Sequence, residues 1–138
     1  MTYKNTLLSF EEDVKNRDFW DWLKAHTSFL KPLYKYEGVL DLDNDGLTFL
    51  GREKETGEGF ELRVELGNIE GVSLGFDEVF TGWEDRAAPW NKPLKIEYVG
   101  KDDERDVIYL FVNFHHKLGM RTSDNKEVFE KILNLKNN

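Results

Sequence analysis

Six consecutive residues come closest to a chemical signature. Asp41-Leu42-Asp43-Asn44-Asp45-Gly46 places carboxylates first, third and fifth and a glycine sixth, as the opening of an EF-hand calcium loop does. Such a loop also needs a bidentate Glu at its twelfth position and helices on both sides. Here the twelfth residue is Arg52, a positive charge, and the flanks alternate like strands. The motif is read as a solvated hairpin turn that uses Asp-Gly backbone freedom, and calcium is not expected to matter. His115 and His116 are adjacent, so on a strand they point to opposite faces and do not converge on one metal ion. The chain has no Cys and no G-x-S-x-G, which leaves nucleophilic catalysis without support. Gly67 to Gly75 lacks the spacing and the Lys of a phosphate loop. Carboxylate pairs arise by chance among 27 acidic residues, so they do not mark an acid–base site. No catalytic residue, metal or cofactor is expected, and the chain is read as non-enzymatic.

The segment from Gly75 to Pro93 has no visible period and carries Phe76, Val79, Phe80, Trp83 and Trp90. A structureless connection of this length is uncommon and often functional. Trp and Arg are frequent interface anchors, so Trp83, Arg86 and Trp90 are the candidate partner-binding residues. The alternative is that these aromatics cap an open end of a barrel. Phe76 and Phe80 directly continue a strand and are expected to pack on the domain. Trp20 and Trp22 fall about 200° apart on a helix, so one sheet does not easily bury both.

These residues need elements to hold them. Residues 9–27 read as a helix with a kink near Asn16, Ser9 as N-cap and Glu12 completing a capping box. Lys31-Pro32 ends it. The period then changes to two: strands are predicted over residues 36–42, 47–50, 60–66, 69–74, 94–99 and 107–114, with a short last one over 118–121. Asp45-Gly46 marks a hairpin. Val107 to Phe114 is almost continuously apolar, which predicts a central strand covered on both faces. The C-terminus reads as a helix capped by Asp124, with Val128, Phe129, Ile132, Leu133 and Leu135 as its apolar stripe. Phe129 and Ile132 are expected to be buried. This is an α+β order, and one amphipathic helix after about seven antiparallel strands predicts a bent sheet or partly open barrel.

That pattern resembles the pleckstrin-homology (PH) superfold, and within it the bacterial PH-like and GRAM-like domains. The likeness rests on Tyr36-Glu37-Gly38-Val39-Leu40, Asp45-Gly46-Leu47-Thr48-Phe49, Ile69-Glu70-Gly71-Val72, Val107-Ile108-Tyr109-Leu110-Phe111 and the terminal helix from Asp124. It implies a partly open antiparallel barrel with a C-terminal capping helix over residues 35–138, preceded by an N-terminal helical extension over residues 1–34. Such domains commonly bind lipids or proteins. Phosphoinositide binders place Lys and Arg around the first hairpin; this chain has Asp41, Asp43, Asp45, Glu53 and Glu55 there, opposed only by Arg52 and Lys54.

Charge narrows the classes further. The 138 residues carry a formal charge of -8, and residues 35–77 alone hold eleven acids against four bases, a net of -7. A nucleic-acid binder needs a basic footprint, and an anionic membrane face repels this one. No apolar run reaches the ~20 residues of a membrane span. The opening Met-Thr-Tyr-Lys-Asn has no apolar signal-peptide core, so a cytoplasmic location is expected. The function expected is a binding or adaptor module working through protein contacts, with an unidentified protein or a second copy as partner. A small apolar-ligand binder at the barrel mouth is the alternative, and a lipid-surface binder, disfavoured by charge, comes after it.

Overall fold

The computed structural model describes residues 1–16, 32–80, 92–117 and 120–137. Their order is β1 (Thr2–Phe10), α1 (Glu11–Lys15), β2 (Tyr36–Leu42), β3 (Gly46–Glu53), β4 (Gly59–Glu65), a 3-10 turn (Leu66–Asn68), β5 (Ile69–Leu74), β6 (Leu94–Val99), β7 (Arg105–Phe111), β8 (His115–Lys117), β9 (Met120–Thr122) and α2 (Asn125–Lys136). Seven strands form one antiparallel sheet in the order β4-β3-β2-β1-β7-β6-β5, and β8 and β9 form a separate hairpin. The architecture is therefore α+β, with an open sheet and one C-terminal helix. No described helix is long and apolar enough to cross a membrane.

Connectivity forces this sheet to curl. Its two edge strands, β4 and β5, are joined by the three residues Leu66–Asn68. Four Cα steps span at most about 15 Å. The edges of a flat seven-stranded sheet would stand about 29 Å apart. The edges must therefore meet at this corner, and α2 packs there against the turn, β5 and β6. Gly38 and Gly51 face each other across β2 and β3. A Cβ on Gly38 would lie 2.1 Å from the Leu50 carbonyl oxygen, so the absence of side chains permits the close approach.

The concave face holds the main core, including Leu8, Leu40, Phe49, Val64, Ile96, Ile108 and Leu110, together with Val128 and Ile132 from α2. Toward one end Phe10, Tyr36 and Phe60 interlock. Tyr36 and Phe60 stack with centroids 3.9 Å apart, and Phe10 meets both edge-on at 6.1 and 5.9 Å. The convex face carries a second core of Leu7, Val107, Tyr109 and Phe111 from β1 and β7, covered by Val14, Leu33 and Phe80. Both faces of β7 are thus clothed, which accounts for its unbroken apolar run.

Five sequence expectations need correction. Ser9 does not cap a helix: it lies in β1, opposite Tyr109 of β7. The sequence reading places no strand before Tyr36, whereas Thr2–Phe10 pairs with both β2 and β7 near the middle of the sheet. A bulge between Tyr3 and Thr6, with Asn5 at φ 52°, breaks the two-residue period, and Thr6 and Ser9 are buried polar residues, so no alternation is visible. Of the predicted helix over 9–27, residues 11–15 are helical and residues 17–31 lie outside the described set; the Phe10 N–H is held by Asp13 Oδ2 at 2.8 Å in place of the expected Glu12 contact. On α2 the buried apolar positions are Val128 and Ile132; Phe129 is half-buried and Leu133 exposed. Asp124 stands at the N-cap position but makes no side-chain cap; its carboxylate accepts from Asn113 Nδ2 at 2.8 Å.

Candidate functional site

Trp83, Arg86 and Trp90 lie in residues 81–91, outside the described residues, as do Trp20 and Trp22 in residues 17–31. What the structure gives is the ground on which each segment starts and ends. The 75–93 connection closes at its base through the Gly75 N–H, which donates to the Pro93 carbonyl at 3.0 Å. Phe80 is fully buried, with its ring centroid 5.1 Å from Tyr109 and 5.8 Å from Phe111. Phe76 is half-buried on the same cluster, so both phenylalanines pack as the sequence predicts.

Asp77 pins this start. Its Oδ1 accepts from the backbone N–H groups of Val79 (2.8 Å) and Phe80 (2.7 Å), the geometry of an Asx turn. Its Oδ2 accepts from the Tyr109 hydroxyl at 2.8 Å and the Lys95 ammonium at 2.9 Å. Burial pushes the Asp77 carboxyl up, but these four donors outweigh it and hold it below the ordinary carboxylate value. Burial, then the bond to Asp77, raises the Tyr109 hydroxyl far above its usual range. Burial works against the Lys95 charge, yet Asp77 raises its value. All three groups move away from neutrality, and a general acid or base works best with a value near the working pH. The arrangement holds the start of the loop in place. Lys95 also approaches Glu97 (3.6 Å), which pairs with Arg105 (2.7 Å), so charges run along β6 and across to β7.

Asn125 pins the other end. Buried at the first turn of α2, its Nδ2 donates to the carbonyls of Lys92 (2.7 Å) and Leu110 (3.0 Å), while its Oδ1 accepts from the Val112 N–H at 2.7 Å. One side chain thus joins the helix, the end of β7 and the return of the loop. Sequence reasoning missed both pins. Asp77 had a signal, an Asp two residues before an N–H that it can cap. Asn125 had none, because its three partners come from distant parts of the chain.

The described residues on either side of 17–31 meet on the same convex face. Val14 of α1 and Leu33 are buried in the cluster that receives Phe80. Lys35 Nζ donates to Asp13 Oδ1 at 3.2 Å, tying the return of the segment to its departure. Beside them lies a cleft of about 290 Å³ lined in part by Glu12, Asp13, Tyr34, Lys35 and Glu53.

The remaining sequence candidates fall elsewhere. Asp43 Oδ1 accepts from the N–H groups of Asp45 (2.8 Å) and Gly46 (2.9 Å), which makes the β2–β3 turn, and Oδ2 pairs with Arg63 at 3.3 Å. Arg52 donates to the Gly57 carbonyl at 3.1 Å. His115 is exposed on β8, with its Nε2 2.8 Å from Asn113 Oδ1, and His116 is the next residue on that strand. Among the described residues no three His, Asp or Glu side chains are grouped to hold a metal ion. Compared with known proteins, the chain matches no family model and no curated protein.

Proposed function

We propose that the chain is a non-enzymatic protein-binding module of PH-like architecture whose contact surface is the convex face of β1 and β7, with Trp83, Arg86 and Trp90 meeting the partner. One observation carries this reading. Val14, Leu33 and Phe80, which flank the two undescribed segments, are buried in a single cluster on that face. The two segments tethered there hold all four tryptophans of the chain. Tryptophan is enriched at interface hot spots, and a passive connector has no use for four. The pins at Asp77 and Asn125 support the same reading, because fixed loop ends lower the entropy lost on binding. The strand order, with the β4–β5 corner covered by α2, supports the PH-like assignment. The apolar-ligand alternative is weaker, since Phe10, Tyr36 and Phe60 fill one end of the concave face with the protein's own rings.

The test replaces residues 81–91 with a Gly/Ser segment of equal length, leaving Asp77, Phe80 and Pro93 intact, and captures partners from the native cell. The proposal expects an unchanged unfolding midpoint and loss of the complex. A lowered midpoint with the complex retained would make the segment a barrel cap.

A further inference from the structure

Strand β4 is an edge of the sheet, and its hydrogen-bond phase can be read from its flanks. The Glu53 N–H donates to the Glu58 carbonyl (2.9 Å) and the Leu66 N–H to the Asp45 carbonyl (2.8 Å). Both pairs continue the β3–β4 register, in which Phe49 faces Leu62 and Leu50 faces Glu61. Bonded and non-bonded pairs alternate in an antiparallel ladder. Phe60, Leu62 and Val64 therefore bond to β3, while Gly59, Glu61, Arg63 and Glu65 turn their N–H and C=O groups outward. Those four residues are also the exposed ones, and Phe60 and Leu62 are only half-buried on the concave side.

We propose that this edge pairs with the β4 edge of a second copy, antiparallel about a two-fold axis at Leu62. The charges select both the occupant and the register. With the axis at Leu62 all four outward residues pair, Gly59 with the copy's Glu65 and Glu61 with the copy's Arg63, so two opposite-charge cross-strand pairs form. Moving the axis to Glu61 or to Arg63 sets Glu61 against Glu61, or Glu61 against Glu65 and Arg63 against Arg63, which are repulsive. The axis at Leu62 also brings the half-buried Leu62 against its copy, covering apolar surface that each monomer leaves wet. An exposed edge is a template for strand addition, and here its charges favour the axis at Leu62 over those one residue to either side; an axis at Val64 would also set Arg63 against Glu65, but it carries Glu61 past the end of the strand onto the 3-10 turn. This edge is separate from the convex cluster of Val14, Leu33 and Phe80 and does not rest on the proposed function.

Sedimentation velocity at increasing concentration tests the proposal, alongside circular dichroism to show that each variant is folded. The wild-type chain is expected to self-associate reversibly. Glu61→Arg and Arg63→Glu, each alone, place like charges opposite one another at both symmetric contacts and should weaken self-association about tenfold or more. Mixing the two single variants should restore association as a heterodimer, because each then meets its opposite charge, and the double variant Glu61→Arg/Arg63→Glu should associate like wild type. A wild-type chain that stays monomeric, or a dimer indifferent to Glu61→Arg, would overturn the proposal. Should Arg63→Glu fail to fold, Glu61→Arg and the double variant still decide it.

Discussion

β4 and β7 are strands of equal length, seven residues each, in one sheet, yet they are built to opposite rules. β7 has neighbours on both sides and cores on both faces, and Val107 to Phe111 are all buried. Among the described residues β4 has one neighbour, and only its Val64 is buried. The contrast extends to their polar groups. Where β7 meets the helix and the long loop, its polar contacts are partly or wholly buried, as at Asn125 and Asp77, although Arg105 at its start stays exposed. Around β4 they are exposed: Arg63 donates to Thr48 at 2.9 Å and pairs with Asp43 and Glu65, all near solvent. β7 is therefore buried on both faces, while β4 buries only part of one and presents charge on the other.

The largest expected effect of that contrast is in packing. Phe111→Ala should cost roughly 3–5 kcal/mol, as buried aromatic truncations do. Leu62→Ala on β4 should cost clearly less, because its site is half-exposed. Urea denaturation of the two variants measures both, and equal losses would erase the distinction between the strands. Next comes the buried latch. Asn125→Ala leaves the Val112 N–H and two carbonyls without their partner, and each unsatisfied buried group costs about 1–3 kcal/mol. Urea denaturation measures that loss, and native-state hydrogen exchange should show faster exchange of the Val112 amide, which an intact latch would keep slow.

A smaller effect is expected with pH. The Asp77 carboxyl lies lower in the folded chain than in the unfolded one, where an Asp titrates near about 3.9. Its contribution is full above that value and is lost as pH falls through the folded value. Asp77→Asn should flatten the acid limb of stability against pH. Tyr109 and Lys95 are both raised, so their contributions are full below about pH 10 and decline as pH rises further. Tyr109→Phe should soften the alkaline limb; an unchanged limb would show that Tyr109 makes no such contribution. The smallest effect is at Arg63. Arg63→Ala should leave the unfolding midpoint of the monomer unchanged within error, since exposed ion pairs add little.

Legibility in the sequence followed the same division. Strands β2 to β6 show alternation because one face is wet, and β7 shows an apolar run because neither face is. β1 shows neither, since its bulge at Asn5 shifts the phase and Thr6 and Ser9 are buried despite being polar. The apolar stripe on α2 is legible, and the helix, packed on the β4–β5 corner, β5 and β6, buries Val128 and Ile132 and leaves Leu133 exposed. The short strand expected over 118–121 is Met120–Thr122, paired with His115–Lys117 in a hairpin apart from the main sheet. Of the candidate site, the aromatic-rich segment was legible and its anchors were not. A side chain such as Asn125, which joins residues 92, 110 and 112, leaves no local pattern to read.

The measurement closest to the central claim pairs unfolding midpoints with complex retention for Trp83→Ala and Trp90→Ala. If the convex face is where the module meets its partner, both variants keep the wild-type midpoint and lose the native complex. If both variants unfold much earlier and the complex survives, the tryptophans belong to the fold, and the assignment of function to this face is contradicted.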